Sequence, residues 1–475
     1  MTRRMGVWLA ILLFGLTGCA SVNLSAGFAE VSATVEERYA KKIAWNQGTE
    51  LDREAAEHLR GLLQKKLTAD DAVQIALLNN RDLQAIYSDL GVAQADLVQA
   101  GLLRNPILDA SVAFHLGPVR PDLQLGVVFG LLEALYIPLR KRVAVAHFEE
   151  AKLRVTGAVL DFVLQVRSAF YTHQANEQMV ELRRTVLEAL TASFDVSRRL
   201  HQAGNITDLD LARDHAALVR SRLDLRSAEV NARQSRERLN DLMGLSGPET
   251  EWEIAQRLPD VPAEALQVDD IERSAVTRSL NLGLARQRIV TAGQQLGYDK
   301  ATGLIPSLDL GAIAEKESDE PWGIGPSVSV PIPIPIFDQG QARVARATAE
   351  LRRGQQEYYA LAVRVRATAR AVLDRLRGAQ DRALYYRDIV LPLHERIVSE
   401  AQLQYNAMQI GVFDLLRDRQ QQIEAGVEYV ELLREYWMAR AELLHILNGR
   451  LPEPESVGPA RMNGRTSTKE RPNGE

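Results

Sequence analysis

The chain has 475 residues, 46% of them hydrophobic and 25% charged, and its 57 Lys and Arg against 62 Asp and Glu give a formal net charge of −5. That balance excludes wholesale disorder and argues against a nucleic-acid partner, which needs a basic face. A single cysteine excludes a disulfide framework or a cysteine-built metal cluster within one chain.

Arg3 and Arg4 precede the apolar run Val7 to Leu16, a basic n-region and short h-region that predict a signal peptide over residues 1–18. The run is short for a transmembrane helix, which needs roughly 20 apolar residues. Leu16-Thr17-Gly18-Cys19 resembles the lipobox of bacterial lipoproteins. The resemblance implies cleavage before Cys19, acylation of its thiol and new amine, and export outward, since Ala20 rather than Asp follows it. Residues 19–66 read as an anchor segment, extended at first and then a short helix near Leu51 to Gln64.

From there the chain is written twice. Leu67-Thr68-Ala69-Asp70-Asp71-Ala72 matches Leu266-Gln267-Val268-Asp269-Asp270-Ile271, and Leu83 pairs with Leu282. Asn105-Pro106-Ile107-Leu108-Asp109 faces Ile305-Pro306-Ser307-Leu308-Asp309 after a one-residue slip. Gly204-Asn205-Ile206 aligns with Gly411-Val412-Phe413, and the stretch Leu239 to Gly244 with Leu444 to Gly449. The repeats span 67–244 and 266–449, joined by a linker at 245–265, and a Pro-, Gly- and Arg-rich tail at 450–475 predicts disorder.

Each repeat opens with a helix, begun in the first by a capping box at Thr68 and Asp71 and ending near Asn105-Pro106. The period then changes to two. Leu108, Ala110, Val112, Phe114 and Leu116 alternate with Asp109, Ser111, Ala113 and His115, and Leu123, Leu125, Val127 and Phe129 follow after a turn at Gly117 to Pro121. The second repeat alternates likewise from Leu308 to Ala314 and from Ser327 onward. Pro331, Pro333 and Pro335 lack ladder donors, so that strand should stop near Val330.

Long helical patterns follow each hairpin, from about Val143 to Ala203 and from about Gln341 to Gln409, with a kink or register change expected at Pro392. Sixty such residues at 1.5 Å each reach roughly 90 Å. Turns at Gly204 and Gly411, read as positive-φ glycines, lead into returning helices. Alternating strands flanked only by long helices have no other sheet on which to bury their apolar face. A membrane barrel gives them one, yet it requires about eight strands or more. Four strands per chain make eight in a dimer and twelve in a trimer, and twelve leaves an aqueous lumen. Phe114, Phe129, Trp322 and Phe337 lie near strand ends, where aromatic residues favour bilayer interfaces.

The sequence resembles the outer-membrane efflux proteins, the TolC-like channel-tunnels of tripartite systems. The resemblance rests on Leu67 to Ala72 with Asn79-Asn80, on Ala93-Gln94-Ala95-Asp96 with Asn105-Pro106, and on Pro333-Ile334-Pro335-Ile336-Phe337-Asp338-Gln339-Gly340. The segment Leu131 to Arg142, with Ile137-Pro138-Leu139-Arg140-Lys141-Arg142, is similar to the heavy-metal branch. The resemblance implies an α+β membrane protein: a homotrimeric, twelve-stranded outer-membrane barrel continuous with a periplasmic helical barrel. It implies as partners outer-membrane lipid, a periplasmic adaptor protein at the hairpin tips Gly204 and Gly411, and an inner-membrane transporter of RND type. The implied activity is passive export of small molecules or metal ions, without enzymatic chemistry and without a cofactor beyond the lipid on Cys19. A duct for type I-like protein secretion and a non-conducting coiled-coil scaffold lipoprotein are the alternatives.

In that family acidic residues of the second helical hairpin ring the periplasmic aperture. Asp414, Asp418 and Arg417 are the gate candidates, with Arg417 falling where the family often carries Asp. On the first hairpin Asp208, Asp210 and Asp214 carry a weaker version of the pattern, and Thr207 or Asp208 suits a helix cap. The eight histidines show no metal-ligand spacing and no clustering with carboxylates. GxSxG, P-loop, GxGxxG and HExxH motifs are absent.

Overall fold

The computed structural model describes residues 21–48, 50–114, 121–254, 257–264, 270–302, 308–316, 321–329 and 338–452. The signal peptide with Cys19, the turn at Gly117 to Pro121 except Pro121 itself, the prolines 331–335, Phe337 and the tail beyond 452 lie outside them.

The segment after the anchor, expected to be extended, begins with helix α1 (Phe28–Tyr39). Val31, Val35 and Tyr39 recur every four residues and are its buried face, which packs into the first core. Helix α2 (Glu50–Leu63) matches the short helix expected there. The opening helix of the first repeat is two helices, α3 (Ala69–Asn79) and α4 (Arg81–Gly101). Thr68 and Asp71 make the predicted capping box, and Asn80 breaks the run. Its backbone is extended (φ −63°, ψ 127°) and its carboxamide oxygen accepts the Leu83 N–H at 2.9 Å, starting a new helix. The second repeat has the same break between α7 (Ile271–Arg278) and α8 (Leu280–Thr302), where Ser279 Oγ accepts the Leu282 N–H.

Four strands form one antiparallel sheet in chain order: β1 (Ile107–Ala113), β2 (Asp122–Gly130), β3 (Asp309–Lys316) and β4 (Gly323–Ser329). The two hairpins are therefore not separate; β2 pairs with β3 from Leu123↔Lys316 to Gly130↔Asp309. β1 and β4 are the two outer strands.

Helix α5 (Leu131–Gln202) leaves β2 directly instead of starting near Val143, and Pro138 is accommodated within it at the loss of one backbone bond. At 1.5 Å per residue its 72 residues reach roughly 110 Å. α6 (Asp208–Met243) returns along it. In the second repeat α9 (Gln341–Tyr385) passes through a π-helical turn, Tyr386–Val390, into α10 (Leu391–Asn406), and α11 (Val412–Leu447) returns. Pro392 follows that turn at once. It has no N–H and its ring displaces the carbonyl of residue 388, so the ladder widens by one residue, as the kink expectation requires.

Two hydrophobic cores lie below the sheet. One joins α1, α3, α4 and the middle of α5 to the end of α6; the other joins α7, α9 and α11. Asn79 and Asn80 tie the first together: their carboxamides donate to the carbonyls of Met243 and Gly244 and of Asp241 and Leu242, at the end of α6 where the helical ladder runs out of donors. That gives the Asn-Asn pair of the sequence a physical task.

Candidate functional site

The register sorts the sheet into two faces. Leu108 lies opposite Val127, Ala110 opposite Leu125 and Val112 opposite Leu123. Val127 and Phe129 then meet Ala312 and Leu310, which meet Pro326 and Val328. One face is thus apolar across all four strands, ending at Lys316. The other carries Asp109, Ser111, Gln124, Gly126, Gly311, Glu315, Gly325 and Ser327, with Ile107, Val128 and Ile313 as its larger apolar members. Leu108 is 73% exposed and Ile324 82%, so among the described residues nothing covers the apolar face. Gly311 has a reason to be glycine: a Cβ there would lie 2.5 Å from the Val127 carbonyl oxygen. Phe114 and Trp322 are exposed at the loop end of the sheet, and Phe129 lies at the helix end.

The tips of the two long hairpins share one backbone. At the first, Gly204 (φ +76°) follows α5; its N–H donates to His201 O and that of Asn205 to Leu200 O. At the second, the N–H of Met408 donates to Tyr405 O and that of Gln409 to Gln404 O. Met408, with φ +59°, therefore occupies the place of Gly204. Gly411 is extended (φ −81°, ψ 160°) and begins α11, where Thr207 begins α6. The reading of Gly411 as a positive-φ turn is corrected accordingly, as is its alignment with Gly204. Thr207 Oγ1 accepts the Asp210 N–H, whereas glycine offers no acceptor and the Asp414 carboxylate instead accepts the Gly411 N–H at 3.3 Å.

Asp414 is exposed in the first turn of α11, where a carboxylate complements the helix dipole, and Arg417 Nη1 stands 3.6 Å from it. Asp418 is half-buried one residue further on, and Arg419 donates to Gln422. On the first tip His201 Nε2 lies 2.6 Å from Asp208 Oδ1, His215 stacks on Phe194, and Ser197 Oγ bonds the Asp214 carboxylate.

At the waist the two repeats meet through a polar cluster that no sequence spacing announces. Asp161 of α5 takes Arg450 Nε at 2.9 Å and a second bond from Arg450 Nη2, and it lies 3.1 Å from His445 Nε2. His445 Nδ1 is 3.3 Å from the Tyr39 hydroxyl of α1. Burial pushes the Asp161 carboxyl up, but the hydrogen bonds from His445 and Arg450 outweigh it and hold the group below the usual carboxylate range. The absence of histidine–carboxylate pairing expected from spacing thus fails in three dimensions at His201 and His445. Even so, among the described residues no group of three His, Cys, Asp or Glu is arranged to hold a metal ion. Nor, among them, is any helix long and apolar enough to cross a membrane.

Residues 135–245 match the family model of the outer membrane efflux proteins. The cobalt-zinc-cadmium resistance protein CzcC of Cupriavidus metallidurans is 22% identical over 389 residues, spanning 80% of this chain and 90% of that protein. The Campylobacter jejuni outer membrane channel CmeC superposes with a TM-score of 0.67 at 15% identity, over 87% of this chain and 92% of its own. The open state of the Neisseria gonorrhoeae MtrE outer membrane channel gives 0.66 at 15% identity, over 81% and 90%. The fold is that of outer-membrane channels, with four strands and two long helical hairpins among the described residues. The chain is thus similar to outer membrane efflux proteins, over residues 135–245 by the family model and over most of its length to a heavy-metal resistance protein.

Proposed function

We infer that the chain is the outer-membrane channel of a tripartite efflux pump, a passive conduit for small molecules or metal ions. The observation that carries this is the sheet: one apolar face, one face of polar and small residues, and two outer strands that lipid would leave unpaired. Three copies close these edges into a twelve-stranded barrel whose apolar side meets lipid and whose other side lines a watery lumen. The long hairpins continue the conduit into the periplasm, where an adaptor meets their tips at Gly204 and beside Gly411. An RND-type inner-membrane transporter supplies the cargo. Likeness to a cobalt-zinc-cadmium resistance protein supports metal ions as that cargo. Cys19 carries the lipid anchor.

Asp414 and Asp418 line the closed aperture in this reading, with Arg417 trimming the charge that each chain contributes. Crowding three copies of an exposed carboxylate about an axis favours cations and repels anions. Planar-bilayer recording of the purified protein tests both levels. A detergent-stable trimer that passes no current in any state sinks the channel. In a conducting trimer, Asp414→Asn with Asp418→Asn should lower cation preference about two- to fivefold, an effect of under 1 kcal/mol for screened charges; unchanged selectivity removes these residues from the aperture. Cys19→Ala should abolish lipid labelling, and labelling that persists would place the anchor elsewhere.

A further inference from the structure

Between the upper turns of α5 and α8 lies a groove of about 540 Å³, lined by Pro138, Lys141, Arg142 and Val145 on one side and Val290 and Gln294 on the other. We propose that this groove holds an anionic phospholipid of the periplasmic leaflet, its phosphate on Lys141 and Arg142 and an acyl chain along Val145 and Val290. The proposal rests on the channel reading, which sets the sheet in the membrane.

Position is the first argument. Leu131, Leu135, Pro138, Arg142 and Val145 recur at spacings of three and four, so they share one stripe of α5. The stripe starts where β2 ends, and Leu135 is 65% exposed, so it prolongs the apolar band of the sheet beyond the strand. Nine strand residues tilted by about 45° cover only ~21 Å, short of the ~25 Å band of such barrels, and the next helical turn supplies the remainder. Lys141 and Arg142 then fall ~15 Å along the helix from its start, within snorkelling reach of headgroups.

Charge is the second argument. Arg140 is occupied, donating to the carbonyls of Ala100 and Leu102. Its neighbours Lys141 and Arg142 are exposed, and among the described residues neither has an ion-pair partner. Glu149, at the far end of the groove, is engaged by Lys152 at 2.9 Å, and Glu150 by Arg288. The mouth nearest the membrane is therefore left with two unneutralised cations above an apolar floor, which suits a phosphate on an acyl tail.

The test uses the full-length trimer in nanodiscs made from equal amounts of phosphatidylglycerol and phosphatidylcholine, with the lipid retained after extraction read by native mass spectrometry. Wild type should retain phosphatidylglycerol in preference. The Lys141→Gln/Arg142→Gln variant should lose about 25-fold of that preference, a factor of about five per cation near an anionic surface, while keeping trimer mass and conductance. Arg352→Gln/Arg353→Gln on α9 should leave the preference unchanged. Equal retention of the two lipids by wild type, or equal preference in wild type and the groove variant, overturns the lipid site alone. Failure of wild type to enter the nanodisc as a trimer overturns the channel reading and the site with it.

Discussion

His173 shows how one buried side chain makes the helical body sensitive to pH. The Ser235 hydroxyl donates to the Ala232 carbonyl, so the ring donates from Nδ1 to Ser235 Oγ at 3.0 Å. Nε2 is buried without a hydrogen-bond partner, and Trp252 meets the ring edge-on at 5.4 Å. Burial first, and Arg236 second, push the imidazolium down to about 4 from an ordinary 6.5. The folded state then binds fewer protons than the unfolded one between those values. Its contribution is complete above pH 6.5 and is lost progressively as pH falls toward 4. The span corresponds to about 3 kcal/mol. Thermal melts of the trimer should therefore lose stability over that window, and His173→Gln should flatten the slope; an unchanged slope would assign it to other groups. Asp161 behaves similarly at lower pH, since its depressed carboxyl stabilises the folded state above the usual carboxylate range and ceases to as pH falls through its folded value. Asp161→Asn leaves Arg450 and His445 facing a neutral amide and should cost about 2 kcal/mol at pH 7, measured by the same melts. Asp161 and Arg450 are 289 residues apart in the chain, so no local motif announced them.

Among the elements, the two hairpin tips make opposite predictions from one geometry. A Cβ at Gly204 would meet nothing within 4 Å, so Gly204→Ala pays only for the left-handed backbone, about 1 kcal/mol. Met408 already bears that strain while 94% exposed, and Met408→Gly should relieve a similar amount. Hydrogen exchange at the tips should quicken in the first variant and slow in the second; changes of the same sign would refute the equivalence. The misalignment of the two tips in sequence has a simple cause: glycine usually marks the left-handed position, and the second tip places its glycine at the helix start. Setting Ile206 against Ile410 restores the match. The period-two strands, the Thr68 cap and the Pro392 kink were legible because each is a local signal. The breaks at Asn80 and Ser279 were not, because apolar spacing runs across them and only the capping side chain interrupts the ladder.

At the scale of the whole molecule, the faces of the sheet define what the assembly tolerates. Leu125→Arg sets a charge on the apolar face near the middle of β2, at about 2–4 kcal/mol per chain in hydrocarbon, and should abolish the membrane-inserted trimer seen by heat-modifiable gel mobility. Gln124→Arg, one residue away on the other face, should leave the trimer intact and shift bilayer conductance toward anions. If both variants assemble equally, the faces are assigned wrongly. The pairing of β2 with β3 lay beyond sequence reasoning, since it joins strands nearly two hundred residues apart and depends on α5 and α8 running side by side.

The near-identical tip backbones also set a rule for whatever docks below. In the proposed trimer six loops would trace a ring that looks sixfold in outline, yet glycine and a polar run would alternate with methionine and an apolar run around it. A docking ring of six like subunits must therefore seat each neighbour in a different chemical environment, while a ring of three can ignore one kind of loop altogether.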